Sequence, residues 1–339
     1  MREVYAALDV SDKSTQVCVV DGAGQVVWAG ACQTDPAAIA AVLKKRAPGL
    51  VRVLLETGSL STFLYHGLVE REVPVICICA RHANRVLSAR VNKSDVHDAE
   101  GLAQMARTGW FKAIRIKQEA THMERAALKI RDQLNDAHQA MRGQLRGLLK
   151  LFGLRLGKVT TPNKRRERLH ALFAQRSELK ALLLPLVESI EALEVQIVRS
   201  SRQLAAAAAA DPVAARLMSV PGVGPICALT FKTSIEDPDR FERGEDVGAF
   251  AGLAPRRSQS GERDVRGRIS KAGDPMLRSA LYEAANSLLS RVKRPCALRD
   301  WGLALAERKG AKRARVAVAR KLAVLLNRLW QSQTEFRWA

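Results

Sequence analysis

The first 112 residues constrain the fold most, because short β-rich runs occur there in a fixed order. VYAALDV, TQVCVVD and QVVWAGA are joined by tight connections, one of which contains the turn DGAG at Asp21–Gly24. Such closely spaced runs predict an antiparallel meander. The strands VRVLLE and VPVICICA follow, and each is preceded and followed by a helical pattern. The predicted order is therefore βββαβαβα.

Capping residues support the helices of this order. Asp35 can accept hydrogen bonds from a helix N-terminus and Pro36 suits the first turn, so a first helix is expected to reach about Lys45. A second helix is expected over 62–70, and Ser94 opens the last one. This order is the layout of ribonuclease H-like domains. It also underlies the actin-like sugar kinases, so order alone does not separate the two.

Beyond Gly109 the chain is predominantly helical. Long patterns over 119–151 and 168–210, joined by a loop with a proline, predict an antiparallel coiled-coil arm. The alternative is a plain helical hairpin packed on the core. The apolar stripe of the second helix consists of Leu182, Leu183, Leu186, Val187, Ile190, Leu193 and Ile197.

The last third is helical but punctuated. It contains the turn PGVGP at Pro221–Pro225, a polar loop from Pro255 to Gly273 and a basic amphipathic helix after Gly310. The predicted fold class is thus α/β plus α. Its domains are a ribonuclease H-like domain over 1–112, a helical coiled-coil arm over 113–210 and a mainly helical domain over 211–339.

Four acidic residues are candidates for one site in the first domain. Asp9 lies inside the first strand, where an isolated carboxylate costs several kcal/mol unless it is paired or belongs to a site. Glu56 ends the strand VRVLLE, and Asp95 and Asp98 lie three residues apart in a predicted helix, where they share a face. In a ribonuclease H-like layout the first and fourth strands are adjacent, so we expect all four acids to converge.

A converging set of carboxylates repels itself unless cations offset the charge. Mg²⁺, which Mn²⁺ can replace, takes oxygen ligands and polarises a phosphodiester for in-line attack. The alternative for Asp95 and Asp98 is that acids in the first turn of a helix merely offset its dipole. His97 lies between them and is expected to point elsewhere. An actin-like kinase needs a glycine-rich phosphate turn after the first strand, and DVSDKS contains no glycine.

The charge of the chain indicates an acidic partner. Lys and Arg number 55 against 34 Asp and Glu, which gives a net charge of +21. Nucleic acid is the first candidate for such a partner and a membrane surface the second. No apolar run approaches the ~18 residues needed to span a bilayer, and the cysteines form no CxxC pair. We expect a cytoplasmic protein with reduced thiols and no membrane-spanning segment.

Basic residues cluster in the polar loop and in the last helix. Those of the loop are Arg256, Arg257, Arg263, Arg266, Arg268 and Lys271. Guanidinium groups suit phosphate oxygens, with the adjacent Arg256 and Arg257 as candidate clamps, and a serine hydroxyl among them could attack an activated phosphodiester. A solvated basic loop with ordinary serines is the alternative.

Two further segments are candidates for phosphate contact. Lys312 and Arg313 begin the basic face of the last helix, and Gly222 and Gly224 of the PGVGP turn could contact a backbone phosphate through their N–H groups. A solvated helix face and a simple tight turn between packed helices are the alternatives.

Several of these segments together resemble the insertion-sequence transposases of the family numbered one-ten and its one-one-one-one subgroup. The segments are LDVSDKS, LLETGS, KSDVHDAEGLA, SVPGVGP, FAGLAPRRSQSG and RGRISKAGDPMLRSAL. The resemblance implies an N-terminal RuvC-like domain with a DEDD metal site, a coiled-coil arm and a C-terminal transposase domain. Asp9, Glu56, Asp95 and Asp98 match the metal ligands, and Ser260 matches a serine nucleophile.

The resemblance further implies recombination of donor and target DNA guided by a structured noncoding RNA, the bridge RNA. The protein would act as a homo-oligomer, from dimer to tetramer, in which the serine of one subunit completes a site with the metal cluster of another. The neighbouring Ser258, and Asp12 and Glu100 near the acids, are expected to be surface residues. Three alternatives stay open: a RuvC-like nuclease that uses water, a noncatalytic nucleic-acid-binding protein and an actin-like phosphotransferase.

Overall fold

The computed structural model describes residues 2–88, 95–261 and 263–338. The chain divides into two compact units, unit 1 up to Glu119 and unit 2 from Ala120. The strands of unit 1 are β1 (Val4–Val10), β2 (Ser14–Asp21), β3 (Val26–Gln33), β4 (Leu50–Glu56) and β5 (Val75–Ile78). Its helices are α1 (Pro36–Arg46), α2 (Ser61–Val69), α3 (Ala80–Leu87) and α4 (Asp95–Thr108).

These strands form one mixed sheet in the order β3-β2-β1-β4-β5. β2 is antiparallel to β1 and to β3, whereas β4 runs parallel to β1 and β5 parallel to β4. The central strand β1 alternates its side chains: Ala6 and Leu8 pack with α1 and α2, and Tyr5 and Ala7 pack with α3 and α4 on the other face. Unit 1 is therefore an α/β structure with helices on both faces, consistent with a RuvC-like domain.

The expected order of elements is confirmed, with one helix added. Asp35 caps α1, because its carboxylate accepts hydrogen bonds from the N–H groups of Ala37 and Ala38. Sequence reasoning missed α3, a short helix whose buried residue is Ala83; so few apolar positions leave no helical periodicity. Ser94 lies outside the described residues, and α4 begins at Asp95.

Unit 2 is mainly helical. Its helices are α5 (Glu119–Leu151, which begins at the boundary), α6 (Pro162–Phe173), α7 (Ser177–Ala210), α8 (Pro212–Met218), α9 (Pro225–Ile235), α10 (Asp246–Phe250), α11 (Pro275–Ser290), α12 (Ala297–Lys309) and α13 (Ala311–Gln331). A 3-10 helix spans Pro238–Arg240, and the strands β6 (Pro255–Ser260) and β7 (Arg263–Ile269) form an antiparallel pair. The main core joins α8, α9, α11 and α13 with Leu128 of α5 and Leu204 of α7.

The two longest helices, α5 and α7, run antiparallel. Arg131 Nε donates a hydrogen bond to Ser201 Oγ, and His138 Nε2 lies 2.9 Å from Glu194 Oε1, so residue numbers rise along α5 as they fall along α7. Arg165 of α6 also donates to both oxygens of Glu194 at 2.6 Å. These central contacts are polar and fix the register of the helices.

The apolar stripe expected on α7 is buried only in part. Leu183 and Ile190 are buried, whereas Leu182 is 69% exposed. The stripe therefore does not establish a coiled-coil seam. The single helix expected over 168–210 is wrong, because the chain is interrupted between Phe173 and Ser177.

The loop expected over 255–273 is wrong in its larger part, since β6 and β7 form a hairpin there. Every residue of β6 is exposed, and polar side chains at most positions of both strands hide the alternation that signals a strand. The hairpin is held mainly by backbone pairing rather than by burial.

The cysteines are free thiols, as expected. Burial raises the pKa of Cys77 to about 11 and that of Cys227 to about 12, so these thiols stay protonated at neutral pH. Within the described part of the chain, no helix combines the length and apolar character needed to cross a bilayer.

Candidate active site

Asp9 and Glu56 lie at the carboxyl ends of two neighbouring parallel strands. Leu8 of β1 is in register with Leu55 of β4, so the next residue of each strand is an acid. Neighbouring strands lie about 4.8 Å apart. By the alternation of side chains, both acids belong to the face of the sheet that α4 covers. The sheet thus brings these two carboxylates to the same edge and the same face.

A cavity of about 140 Å³ opens between these strand ends. Asp9 and Glu56 both line it, together with Asp12 of the β1–β2 connection and the segment Thr57–Ser61 that leads into α2. Carboxylate and hydroxyl oxygens are the ligands that hard divalent cations prefer. The cavity therefore has the chemistry of a site for such a cation.

The direction of α4 brings its first residues toward the same cavity. Gln104 Nε2 donates to Gly24 O in the β2–β3 turn, at the end of the sheet where β1 begins. Asp98 lies about 9 Å along the helix from Gln104, and Asp95 about 13 Å. β1 extends about 16 Å before it reaches Asp9. The helix therefore runs antiparallel to β1 and begins near the level of Asp9.

The acidic residues near α4 differ in their placement. Asp98 is half-buried, and the side chain of Asp95 lies outside the described residues. His97 is exposed, which agrees with an orientation away from the site. Burial and the nearby charge of Glu100 raise the pKa of Cys18 to about 11. Glu100 is half-buried and lies near Cys18 of β2, which corrects its expected place at the surface.

Asp12 was expected to be a surface residue near the acids. The residue is exposed, as expected, but it also lines the cavity of Asp9 and Glu56. The signal was its place three residues after Asp9 in a tight connection, which returns the chain to the same edge of the sheet.

A complete metal-ligand set is not assembled by the described side chains. Among residues 2–88, 95–261 and 263–338, no group of three or more His, Cys, Asp and Glu could hold a metal ion. Asp9, Glu56 and Asp98 each have an interaction partner. The convergence of all four predicted acids, Asp95 included, stays a prediction.

Ser260 lies at the tip of the β6–β7 hairpin. It is the last residue of β6, it is exposed, and it pairs with Arg263, the first residue of β7. Gly261 begins the turn with a φ of +55°, which glycine adopts readily. The hydroxyl predicted to be a nucleophile is therefore exposed to solvent.

Two glycines fix the base of the hairpin. Gly252 and Gly273 have φ values of +70° and +92°. A Cβ at Gly273 would clash with the carbonyl oxygen of Phe250, and one at Gly252 with that of Ala272. Ser270 N–H donates to Ala254 O at 2.8 Å across the same base. The base is thus anchored to the unit while the tip is exposed.

The basic residues of the hairpin are not equivalent. Arg257 donates to both carboxylate oxygens of Asp264, at 2.8 and 2.9 Å, and Arg256 donates to Ser270 O at 3.3 Å. The exposed basic residues are Arg256, Arg257, Arg263, Arg268 and Lys271. The side chain of Arg266 lies outside the described residues. Arg257, expected to clamp a phosphate, is therefore engaged by a carboxylate.

The PGVGP turn contains two glycines with different roles. A Cβ at Gly222, which has a φ of +87°, would meet the backbone of α11 at Ala284 O, whereas space is open at Gly224, the N-cap of α9. Both glycines line a cavity of about 350 Å³ whose lining includes the acids Asp132 and Glu283. Close helix packing explains the glycine at 222, and phosphate binding by either glycine stays a prediction.

Lys312 and Arg313 are exposed in the first turn of α13. Positive charge at a helix N-terminus opposes the helix dipole, so these residues do not favour the helix. The exposed Arg308 and Lys309 end α12 nearby, across Gly310. Arg308 and Lys309 lie at a helix C-terminus, where positive charge is favourable, so only Lys312 and Arg313 oppose a helix dipole. The four neighbouring cations together suit a polyanion.

Comparisons with known proteins cover nearly the whole chain. Residues 6–153 match the family DEDD_Tnp_IS110, described as "Transposase", and residues 214–301 match the "Transposase IS116/IS110/IS902 family". The chain is 29% identical to the "Transposase for insertion sequence element IS1111A" of Coxiella burnetii, over 97% of this chain and 90% of that protein.

Two further relatives are similar over most of the chain. The "Probable family 20 transposase" of Pseudomonas aeruginosa is 30% identical over 73% of this chain and 74% of its own length. The "Transposase for insertion sequence element IS1328" of Yersinia enterocolitica is 28% identical over 60% of each protein. The family match over residues 6–153 contains the four predicted acids, and the match over residues 214–301 contains Ser260 and the PGVGP turn.

Proposed function

This chain belongs to the IS116/IS110/IS902 family of insertion-sequence transposases, enzymes that cleave and rejoin DNA, and we propose that it is an RNA-guided recombinase with a covalent serine–DNA intermediate. The observation that carries the proposal is the position of Asp9 and Glu56 at the ends of adjacent parallel strands, where both line one cavity. Carboxylate oxygens at the ends of adjacent strands are ligands of the kind that a hard divalent cation takes.

We assign Asp9, Glu56, Asp95 and Asp98 to a Mg²⁺ site. Asp9 and Glu56 suit a hard divalent cation, because their carboxylates line one cavity, and α4 begins near the level of Asp9. Bound Mg²⁺, or Mn²⁺ in its place, supplies Lewis-acid polarisation of the scissile phosphate. The four carboxylates would hold and orient the ion, and the packed sheet would keep the spacing of Asp9 and Glu56 constant.

We assign Ser260 as the nucleophile. Its Oγ forms an ester bond to the scissile phosphorus, and the bond from that phosphorus to the leaving deoxyribose oxygen breaks. The serine loses one proton and the leaving oxygen gains one. Each ester formed replaces one broken, so rejoining needs no ATP. In a dimer or tetramer, the serine of one copy would act with the acids of another.

The polyanionic partners are donor DNA, target DNA and a structured bridge RNA. The net charge of +21 and the exposed cations at Arg256, Arg263, Lys271, Lys312 and Arg313 support such partners. The guide RNA, the coiled-coil arm over 113–210, the division at 112 and 210 and a cytoplasmic location rest on the family resemblance and on sequence patterns. Sequencing the RNA that co-purifies with the protein tests whether recombination is guided by RNA. One defined structured species would support the proposal, and a random mixture would contradict it.

Covalent trapping tests the chemistry. Wild-type protein with its co-purified RNA, Mg²⁺ and end-labelled DNA of its element should give a protein–DNA adduct that survives denaturing electrophoresis. Ser260→Ala should give none, while Ser258→Ala, a matched change two residues away, should retain it. Cleavage that persists in Ser260→Ala would indicate a nuclease that uses water. A complete absence of Mg²⁺-dependent cleavage would instead indicate a noncatalytic binding protein.

A further inference from the structure

The two faces of the β6–β7 hairpin carry different chemistry. Side chains that pair across the strands and those two residues along share a face. Ser260 pairs with Arg263 and Ser258 with Val265, so these four residues lie on one face. Gln259 pairs with Asp264, and Arg257 lies two residues before Gln259, on the opposite face.

A side-chain contact confirms this assignment of faces. Arg257 Nε and Nη2 donate to the two oxygens of Asp264 at 2.8 and 2.9 Å, which requires both side chains to lie on the same side of the hairpin. The contact also raises the pKa of Arg257 through its hydrogen bonds with Asp264. The guanidinium of Arg257 is thus occupied, on the face that does not carry Ser260.

Arg263 has the opposite placement. It is the direct cross-strand neighbour of Ser260, so their Cβ atoms are about 5 Å apart, and both side chains are exposed. A guanidinium at this distance can bind two non-bridging oxygens of a phosphate whose phosphorus the serine oxygen attacks. The turn at Gly261 fixes this pairing, because it directly joins the two residues' strands.

We propose that Arg263, and not Arg257, is the catalytic residue that binds the phosphate attacked by Ser260. This inference rests on the proposed function. Arg263 neutralises the charge that grows on the non-bridging oxygens while the P–Oγ bond forms and the bond to the leaving deoxyribose oxygen breaks. Its own proton count does not change. The leaving oxygen takes up a proton, and the serine hydroxyl releases one.

The test compares two variants that remove the same charge from the two faces. The rate of adduct formation at saturating DNA is measured for wild type, Arg263→Ala and Arg257→Ala, with the full chain, its co-purified RNA and Mg²⁺. Loss of one preorganised donor at the reacting phosphate should lower the rate about 100-fold in Arg263→Ala. Arg257→Ala should lower it less than about 5-fold, because any loss there concerns general attraction to the backbone.

Two further measurements separate chemistry from folding. The exposed hairpin contributes little burial, so the thermal unfolding of both variants should match wild type. Added guanidinium ion should restore part of the rate to Arg263→Ala but none to Ser260→Ala, a rescue that a structural role would not give.

Two outcomes overturn the proposal, and they differ. If wild type forms the adduct and Arg263→Ala forms it at the rate of Arg257→Ala, Arg263 has no role at the phosphate and the recombinase assignment stands. If wild type cleaves DNA without forming any serine adduct, both the proposed function and the role of Arg263 fail.

Discussion

The acids of unit 1 and the serine of unit 2 are supported in opposite ways. Asp9 follows the fully buried Leu8 in the central strand of a sheet that is covered on both faces. Ser260 ends a strand in which every residue is exposed. Ligands of a metal must keep a constant spacing, whereas a nucleophile that meets a duplex must first be accessible. Each support suits the role we propose for the residue.

This difference separates two kinds of mutational effect. Changes beneath the acids alter packing and hence stability, because interiors are close-packed. Changes on the hairpin face alter contacts with solvent or substrate and leave the core untouched. Mutations that alter the packed sheet of unit 1 should therefore lower both stability and activity. Mutations at the hairpin tip should change activity without changing stability.

The largest expected effect comes from Asp9→Asn. The amide keeps the shape of the side chain but removes a charge from the proposed cation site. DNA cleavage should fall by about 1000-fold, equivalent to about 4 kcal/mol of transition-state stabilisation. Thermal unfolding should stay within a few degrees of wild type. A variant that unfolds readily but cleaves normally once folded would show that Asp9 supports the sheet rather than the reaction.

Manganese binding provides the control for that variant. Titration calorimetry should detect Mn²⁺ binding to wild type and a much weaker affinity in Asp9→Asn. Asp21→Asn changes the same charge at the other end of the sheet, in the β1–β2–β3 meander, and should bind Mn²⁺ as wild type does.

Leu8→Ala tests the support beneath the acids. Leu8 is fully buried between the sheet and the helices α1 and α2, so its truncation should lower the free energy of unfolding by about 3 kcal/mol. Val265→Ala removes an apolar side chain that is 45% exposed on the hairpin and should change it by less than about 0.5 kcal/mol. Denaturant titration measures both free energies of unfolding. Equal losses would contradict the difference in burial between the sheet that carries Asp9 and the hairpin that carries Ser260.

The sequence predicts the structure well where burial of side chains imposes a regular pattern of apolar residues. Alternating and continuous apolar runs predict the strands of unit 1, and the order of these strands predicts that Asp9 lies beside Glu56. Asp35 as the cap of α1 follows from local chemistry alone. The family resemblance, and not spacing, supplied the role of Ser260.

The sequence was uninformative where backbone pairing or polar contacts decide the structure. β6 and β7 bury almost no side chains, so the hairpin has no hydrophobic period. The pairing of Ser260 with Arg263 therefore could not be predicted from the sequence. The polar contacts of Glu194 with α5 and α6 likewise left no trace in the apolar stripe of α7.

Gly273→Ala tests whether the base of the exposed hairpin is fixed. A left-handed φ and a clash with Phe250 O both oppose a side chain at this position, so the variant should lose at least about 2 kcal/mol of stability. Gly267→Ala lies within β7, where a Cβ would make only ordinary contact with Arg256, and should be near neutral. If Gly273→Ala also lowers adduct formation by Ser260 beyond its loss of folded protein, the anchored base positions the tip.

The smallest effect we expect compares the half-buried Asp274, just after the base of the hairpin, with the exposed Asp264 on the hairpin. Burial alone would raise the pKa of Asp274, but hydrogen bonds from Arg125, the charge of Arg125 and the Met276 N–H bond lower it below its usual value. A carboxyl with a lowered folded-state pKa stabilises the fold above its unfolded pKa of about 3.9 and loses that contribution as pH falls. Asp274→Asn should therefore cost about 1.5 kcal/mol at pH 7 and progressively less below about pH 4. Asp264→Asn, which removes the exposed partner of Arg257, should leave the free energy of unfolding at pH 7 nearly unchanged, because exposed ion pairs contribute little. An equal loss in the two variants would contradict this argument.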